Sequence, residues 1–145
     1  GTTLTFKFSS MSTAIIKYTG SYQTECMHVR SGKTVETDPP LDNQGLGEAF
    51  SPTDLLATSL GACMLTIFAQ AAQARSIDIG NPSLEVTKVM SAEAPRRVAE
   101  IHVGFHVYQN VAESDQAVLE RAALACPVAK SLHPDLKQIT TFHWN

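Results

Sequence analysis

The residues whose chemistry depends most on their surroundings are three cysteines, Cys26, Cys63 and Cys126. A thiolate, not a thiol, is the nucleophile, and its pKa falls beside a cation or a helix N-terminus. Cys126 precedes Pro127. A residue before proline is pushed out of the α region, while proline itself suits the first helical position. The pair therefore predicts a break, with Cys126 capping a short helix from Pro127 to Leu132. Cys63 lies about three turns inside a long apolar segment, where backbone N–H groups are already used by the helix. Any group that activates it must come from elsewhere in the fold. On periodicity alone the favoured reading of Cys63 is a small core hydrophobe beside Leu60 and Ile67.

The histidines support no metal site. His102 and His106 would share a helical face, but the alternation around them is that of a strand. Four strand residues span about 13 Å, too far for one ion with bonds near 2 Å. Cys26 and His28 are same-face neighbours on a predicted strand, and His133 before Pro134 is explained by ending a helix. GxSxG, GxGxxG, Walker, CxxC and HExxH patterns are all missing, so serine hydrolysis, dinucleotide binding and zincin chemistry have no support.

The element that must position Cys63 is the stretch from Ser51 to Ala74. Ser51 reads as an N-cap, Pro52 as the first helical residue and Asp54 as the acidic side chain that completes the helix start. Leu56, Leu60, Cys63 and Ile67 fall on one stripe. Thr58, Ser59, Thr66, Gln70 and Gln73 interrupt the apolar run, which favours a helix buried in protein on most sides over a membrane span. Ala57, Gly61 and Ala62 would permit close approach of another helix.

Before this helix, strands are expected over Thr13–Tyr18, Tyr22–Arg30 and Lys33–Thr37, an N-terminal meander ended by Asp38–Pro39–Pro40. Leu41 to Phe50 reads as a mobile connection of the kind that borders a site. After the helix, Ser83–Met90 sets Leu84, Val86 and Met90 against Glu85 and Thr87. Val98–Tyr108 alternates Ala99, Ile101, Val103, Phe105 and Val107 with Glu100, His102, Gly104 and His106. Ser114 would cap a second helix running to about Leu124, and Gln138–Trp144 would add another strand. The order β-β-β-α-β-β-α-β, with two long helices, predicts an α+β fold with mainly antiparallel sheet.

A chain of 145 residues is long enough to bury one core. Residues 1–12, in which Met11 offers a natural start, read as upstream or flexible sequence, and residues 13–145 as a single domain. The net charge of -3, with no basic run longer than Arg96–Arg97, declares no surface for nucleic acid or anionic lipid. An odd number of cysteines does not make a secreted disulfide framework, and the first residues lack the pattern of a signal peptide. A reducing, cytoplasmic setting is expected.

Taken together, SPTDLLATSLGACM around Cys63 and ACPVAKSLHP around Cys126 resemble the OsmC/Ohr family of thiol-dependent hydroperoxide reductases, in its OsmC-like branch. The resemblance runs from Thr13 to Trp144. It implies an intertwined homodimer of α+β subunits, with Cys63 as the peroxidatic thiolate and Cys126 as the resolving thiol. It also implies a peroxiredoxin-like cycle without a cofactor, in which an external dithiol restores the pair. Organic hydroperoxides are the expected substrates, approached past Phe50, Leu60, Met64 and Phe68. In the organic-hydroperoxide branch a glutamate ten residues before the reactive cysteine partners an arginine. Here that position is Thr53, and Arg30 and Glu48 are the nearest replacements as activators. The rival reading is a non-catalytic module that binds a small ligand and keeps its cysteines for structure.

Overall fold

The computed structural model describes residues 12–145, so the expected N-terminal segment lies, but for Ser12, outside the described residues. The chain falls into two compact units that divide after Pro52.

The first unit is the expected meander. Strands β1 (Ala14–Gly20), β2 (Gln23–His28) and β3 (Thr34–Thr37) pair antiparallel in the order β1-β2-β3. Ser21 and Tyr22 turn β1 into β2 with φ of 54° and 65°. Left-handed conformation at both central residues matches a tight hairpin to the twist of its strands. The unit's buried side chains are polar: Thr37, Asp38 and Ser51. Ile16, Tyr18 and Val35 are exposed.

Asp38 organises the segment that follows. Its carboxylate accepts the backbone N–H of Leu46 at 3.2 Å and that of Glu48 at 3.0 Å, while its own N–H donates to Phe50 at 3.0 Å. The stretch from Leu41 to Phe50 contains one 3-10 turn, Leu41–Asn43. Its Gly45 and Gly47 N–H groups donate to Pro40 and Pro39. A β-carbon at Gly45 would collide with the carbonyl of Pro39. The sequence reads this stretch as a mobile connection; it is instead a loop closed on a buried carboxylate.

The second unit is built on helix α1 (Pro52–Ala74) and a sheet in which β4 (Ser83–Met90) pairs antiparallel with β5 (Val98–Val107). Helix α2 (Glu113–Leu124) and the short α3 (Pro127–Ser131) then return the chain to β6 (Lys137–Trp144). Strand β6 pairs parallel with β5, so the expectation of mainly antiparallel sheet holds for every pair but this one. A parallel neighbour requires a crossover, and α2 with α3 supplies it. The expected Ser114 cap is not observed: α2 starts at Glu113 behind Ala112, which offers no side-chain cap, and Ser114 falls within the first turn.

The core lies between α1 and the inner face of the sheet. Leu60, Met64 and Phe68 of α1 meet Ile101, Val103 and Phe105 of β5, all fully or nearly fully buried. Phe68 lies 5.1 Å from Phe105 and 5.7 Å from Trp144 between ring centroids, and Phe105 stacks on Phe142 at 4.7 Å. The alternation expected along β5 is observed from Glu100 to Val107; at the strand's start Val98 is buried and Ala99 only partly so.

The buried stripe of α1 is Ala57, Leu60, Gly61, Met64, Phe68 and Ala72. It is rotated from the expected stripe, leaving Leu56 38% exposed and Cys63 and Ile67 partly buried on its flank. About burial on most sides the expectation is corrected, since 33% of the most apolar window of α1 is buried. By length and composition this helix alone among the described residues could cross a membrane, yet it carries the inner layer of a packed unit. Ala57 and Gly61, read as allowing a partner helix to approach, instead face the core, and only Ala62 is exposed.

Two expected outcomes follow. Replacing Gly61 with Ala puts a β-carbon 2.6 Å from a γ-methyl of Val86. Valine is stiff at χ1, so overpacking of about 1–3 kcal/mol outweighs the helix-propensity gain of about 1 kcal/mol. Urea unfolding should show Gly61→Ala destabilised and partly rescued by Val86→Ala; a single variant as stable as the parent refutes the contact. The Asp38 carboxyl is held below its ordinary 3.8, chiefly by the Glu48 N–H, against the opposing effect of burial, with further help from Leu46 and Gln23. A depressed carboxylate stabilises above the unfolded pKa of about 4 and loses that contribution as pH falls through the folded value. Amide exchange in residues 41–50, measured relative to the intrinsic rate at each pH, should therefore accelerate below about pH 4 in the parent. In Asp38→Asn it should be fast already at neutral pH.

Candidate functional site

Pro127 forces Cys126 into extended backbone, with φ -63° and ψ 153°, and begins α3. The Cys126 carbonyl accepts the N–H of Lys130 at 3.1 Å, as an N-cap carbonyl should. Its sulfur accepts the N–H of Ala129 at 3.4 Å. Cys126 is thus the cap expected from the sequence, and it is fully buried. The Gln138 side chain donates to the Ala129 carbonyl at 2.9 Å, anchoring the other end of α3 to β6.

Cys63 reaches the same point from α1. It lies near enough to Cys126 to act on the ionisation of that thiol. Burial pushes the Cys126 thiol above its ordinary value, the Ala129 N–H opposes that shift, and neighbouring Cys63 reinforces it. The two sulfurs are therefore unequal: Cys126 is sealed and held as a thiol, whereas Cys63 is only partly buried. Cys26 belongs to β2 of the first unit, its sulfur 3.7 Å from the Thr24 hydroxyl.

The proposed activators are placed in the first unit. Arg30 is exposed in the turn between β2 and β3, and Glu48 is exposed in the loop closed by Asp38. The residues expected along an apolar approach divide: Phe50 is 49% exposed, but Leu60, Met64 and Phe68 are fully buried and form core rather than a channel.

Lys88 is the charged residue that the sequence reading passed over. It falls on the inward parity of β4 with Leu84, Val86 and Met90. Its ammonium donates to the Thr53 hydroxyl at 2.9 Å and pairs with Asp54 at 2.8 Å. Asp54, read as serving the start of α1, thus also holds a cation against that first turn. The signal was period two: on a strand buried on one face, a lysine among inward apolar positions must find a partner.

Among the described residues no cluster of His, Cys, Asp or Glu could hold a metal ion. His102 lies 3.7 Å from Glu100, and His106 stacks on His143 of the neighbouring strand at 5.0 Å. His133 accepts the N–H of Asp135 at 3.0 Å.

The unequal burial of the thiols has a direct readout. Brief treatment with iodoacetamide at neutral pH, followed by peptide mass analysis, should label Cys63 well before Cys126. Labelling of Cys126 should rise only at strongly alkaline pH or on unfolding, and equal labelling of the two in the folded protein excludes the sealed cap.

The model of the OsmC-like protein family matches residues 45–140, which include both cysteines. No curated protein matches the sequence. Among solved structures, a candidate osmotic stress induced and detoxification response protein from Psychrobacter arcticus 273-4 is 48% identical. It aligns with a TM-score of 0.88 over 95% of this chain and 100% of its own. An OsmC like protein from Mycoplasma pneumoniae, 17% identical, aligns at 0.76 over 90% and 94%. An organic hydroperoxide resistance protein OsmC from Legionella pneumophila, also 17% identical, aligns at 0.69 over 92% and 98%. These last two show a shared fold. With two thirds of its length matched by the family model and both cysteine motifs within that span, the chain belongs to the OsmC/Ohr family.

Proposed function

We propose that this protein reduces organic hydroperoxides with a Cys63/Cys126 redox pair, in defence against oxidative stress. The observation that carries the reading is the proximity of two free thiols of unequal burial. Cys63 is the one that a small peroxide can reach, and Cys126 is poised behind it. The hydroperoxide resistance named for the Legionella relative supports the choice of substrate.

In the first step the Cys63 thiolate attacks the terminal peroxide oxygen. An S–O bond forms, the O–O bond breaks, and the departing alkoxide takes a proton and leaves as an alcohol. Cys63 is oxidised to a sulfenic acid. In the second step the Cys126 sulfur attacks that of Cys63, the S–S bond forms and the S–O bond breaks. The Cys126 proton and the released hydroxide leave as water. An external dithiol, itself oxidised to a disulfide, then restores both thiols by exchange. Burial that holds Cys126 as a thiol suits the second role, because a protonated sulfur does not compete for peroxide.

Residues 13–145 act in this proposal as one domain, without cofactor and in a reducing cytoplasm. Arg30 and Glu48 are retained as activators of the Cys63 thiolate. The working unit is a homodimer: the apolar side of α1 that its own unit leaves uncovered, including Leu56 and Ala62, supports pairing with a second copy.

The reaction is tested by adding one equivalent of cumene hydroperoxide to the reduced protein and following intact mass and nonreducing peptide maps. The parent should lose two hydrogens as a Cys63–Cys126 disulfide. Cys126→Ser should stop at a dimedone-reactive sulfenic acid on Cys63, and Cys63→Ser should consume no peroxide. If Cys63 stays reduced, the catalytic reading fails and the ligand-binding module is left standing.

A further inference from the structure

The Cys126 sulfur has a structural duty that oxidation interrupts. It is the side-chain cap of α3, accepting the Ala129 N–H at 3.4 Å, and so satisfies one of the backbone donors that a helix start leaves open. Helix α3 has five residues, too few to persist on helix propensity. Besides the cap, it is held by the Gln138 side chain on the Ala129 carbonyl at 2.9 Å and by the packing of Val128 and Ala129 on the core. Lys130 and Ser131 are exposed.

A disulfide brings two sulfurs from proximity to covalent distance, so one side must give. Cys63 is the stiffer side. It sits in a helix of 23 residues beside Leu60 and Met64, which have no solvent exposure, and moving it would displace core. The main chain of Cys126 is tied backward, its N–H donating to the Ala123 carbonyl at 3.2 Å. What is left to yield is the forward side, where the sulfur caps α3.

Building on the Cys63/Cys126 redox pair, we infer that α3 is a redox-gated cover: the disulfide draws the Cys126 sulfur off Ala129, the first turn of α3 unwinds, and the site opens to the external dithiol. The reduced protein then admits a small peroxide at the partly buried Cys63, and the oxidised protein admits a bulkier reductant. Thiol–disulfide exchange depends on access to the sulfur attacked. The first sulfur of the dithiol forms a mixed disulfide and releases one protein sulfur, and its second sulfur displaces the other. The two protons of the dithiol end on the protein thiols, the dithiol leaves as a disulfide, and Cys126 is free to cap α3 again.

Amide exchange followed by NMR on the whole protein at one pH tests the gate, with the disulfide made by one equivalent of cumene hydroperoxide and, separately, by diamide. On oxidation the Ala129 and Lys130 amides should exchange about fivefold or more faster, while those from Leu60 to Phe68 stay unchanged. Trypsin should cut after Lys130 in the oxidised protein and spare it in the reduced one. Cys126→Ala, which lacks a cap, should show the faster exchange without any oxidant. Cys126→Ser, whose hydroxyl can cap, should stay protected even after peroxide. Unchanged α3 exchange in the disulfide form overturns the gate and leaves the redox pair standing, as does loosening spread equally over α1. A disulfide made by diamide but not by peroxide, with α3 loosened, upholds the gate and removes the peroxidase reading. Failure of both oxidants to join the sulfurs overturns both.

Discussion

The packing of one face of α1 on the inner face of the β4–β5–β6 sheet is the contact from which the second unit takes its geometry. Leu60, Met64 and Phe68 have no solvent exposure, so the rotation of the helix about its axis is fixed by burial. A side chain such as leucine or phenylalanine is worth about 1.5–3 kcal/mol when fully buried; turning the helix would surrender several at once. Gly61 sharpens the constraint by allowing the helix backbone to approach Val86 more closely than any larger residue could. Once rotation and approach are set, Cys63 has one place to be, on the flank of the buried stripe. The aromatic cluster of Phe68, Phe105, Phe142 and Trp144 then ties β6 to the same helix.

Cys126 reaches that place by a different route. Its position is imposed by Pro127, which ends one helical path and begins another. The two halves of the thiol pair thus depend on unlike kinds of physics, nonlocal burial for Cys63 and a local steric rule for Cys126. This difference decides what the sequence could reveal. The Cys126 cap and the start of α1 at Pro52 were legible because proline constrains its neighbours wherever it stands. The alternation along β5 was legible because one face is core and the other is wetter.

Other features are not written locally. The stripe on α1 is displaced from the one that strongly apolar residues suggest, because Ala57 and Gly61 are buried for their small size while Leu56 is left exposed. A parallel partner for β5 cannot be told from an antiparallel one by the composition of residues 137–144. The closing of residues 41–50 on Asp38 depends on backbone donors, which every residue carries. Lys88 could have been found, since the parity that places Val86 and Met90 inward places it inward too. The proximity of Cys63 to Cys126 is tertiary; the sequence carried it only through resemblance.

The parallel pairing of β6 with β5 bears on how the molecule comes into being. A hairpin can form as soon as its two strands are made, but β6 must wait for the whole crossover through α2 and α3. During synthesis the first unit's meander and the β4–β5 hairpin can therefore assemble while Phe142 and Trp144 are still inside the ribosome. Over that interval α1 lacks one wall of its aromatic cluster, and Gln138 has yet to anchor α3. The seal over Cys126 is thus completed late, and a nascent chain carries two thiols near each other before it has the structure that makes them unequal.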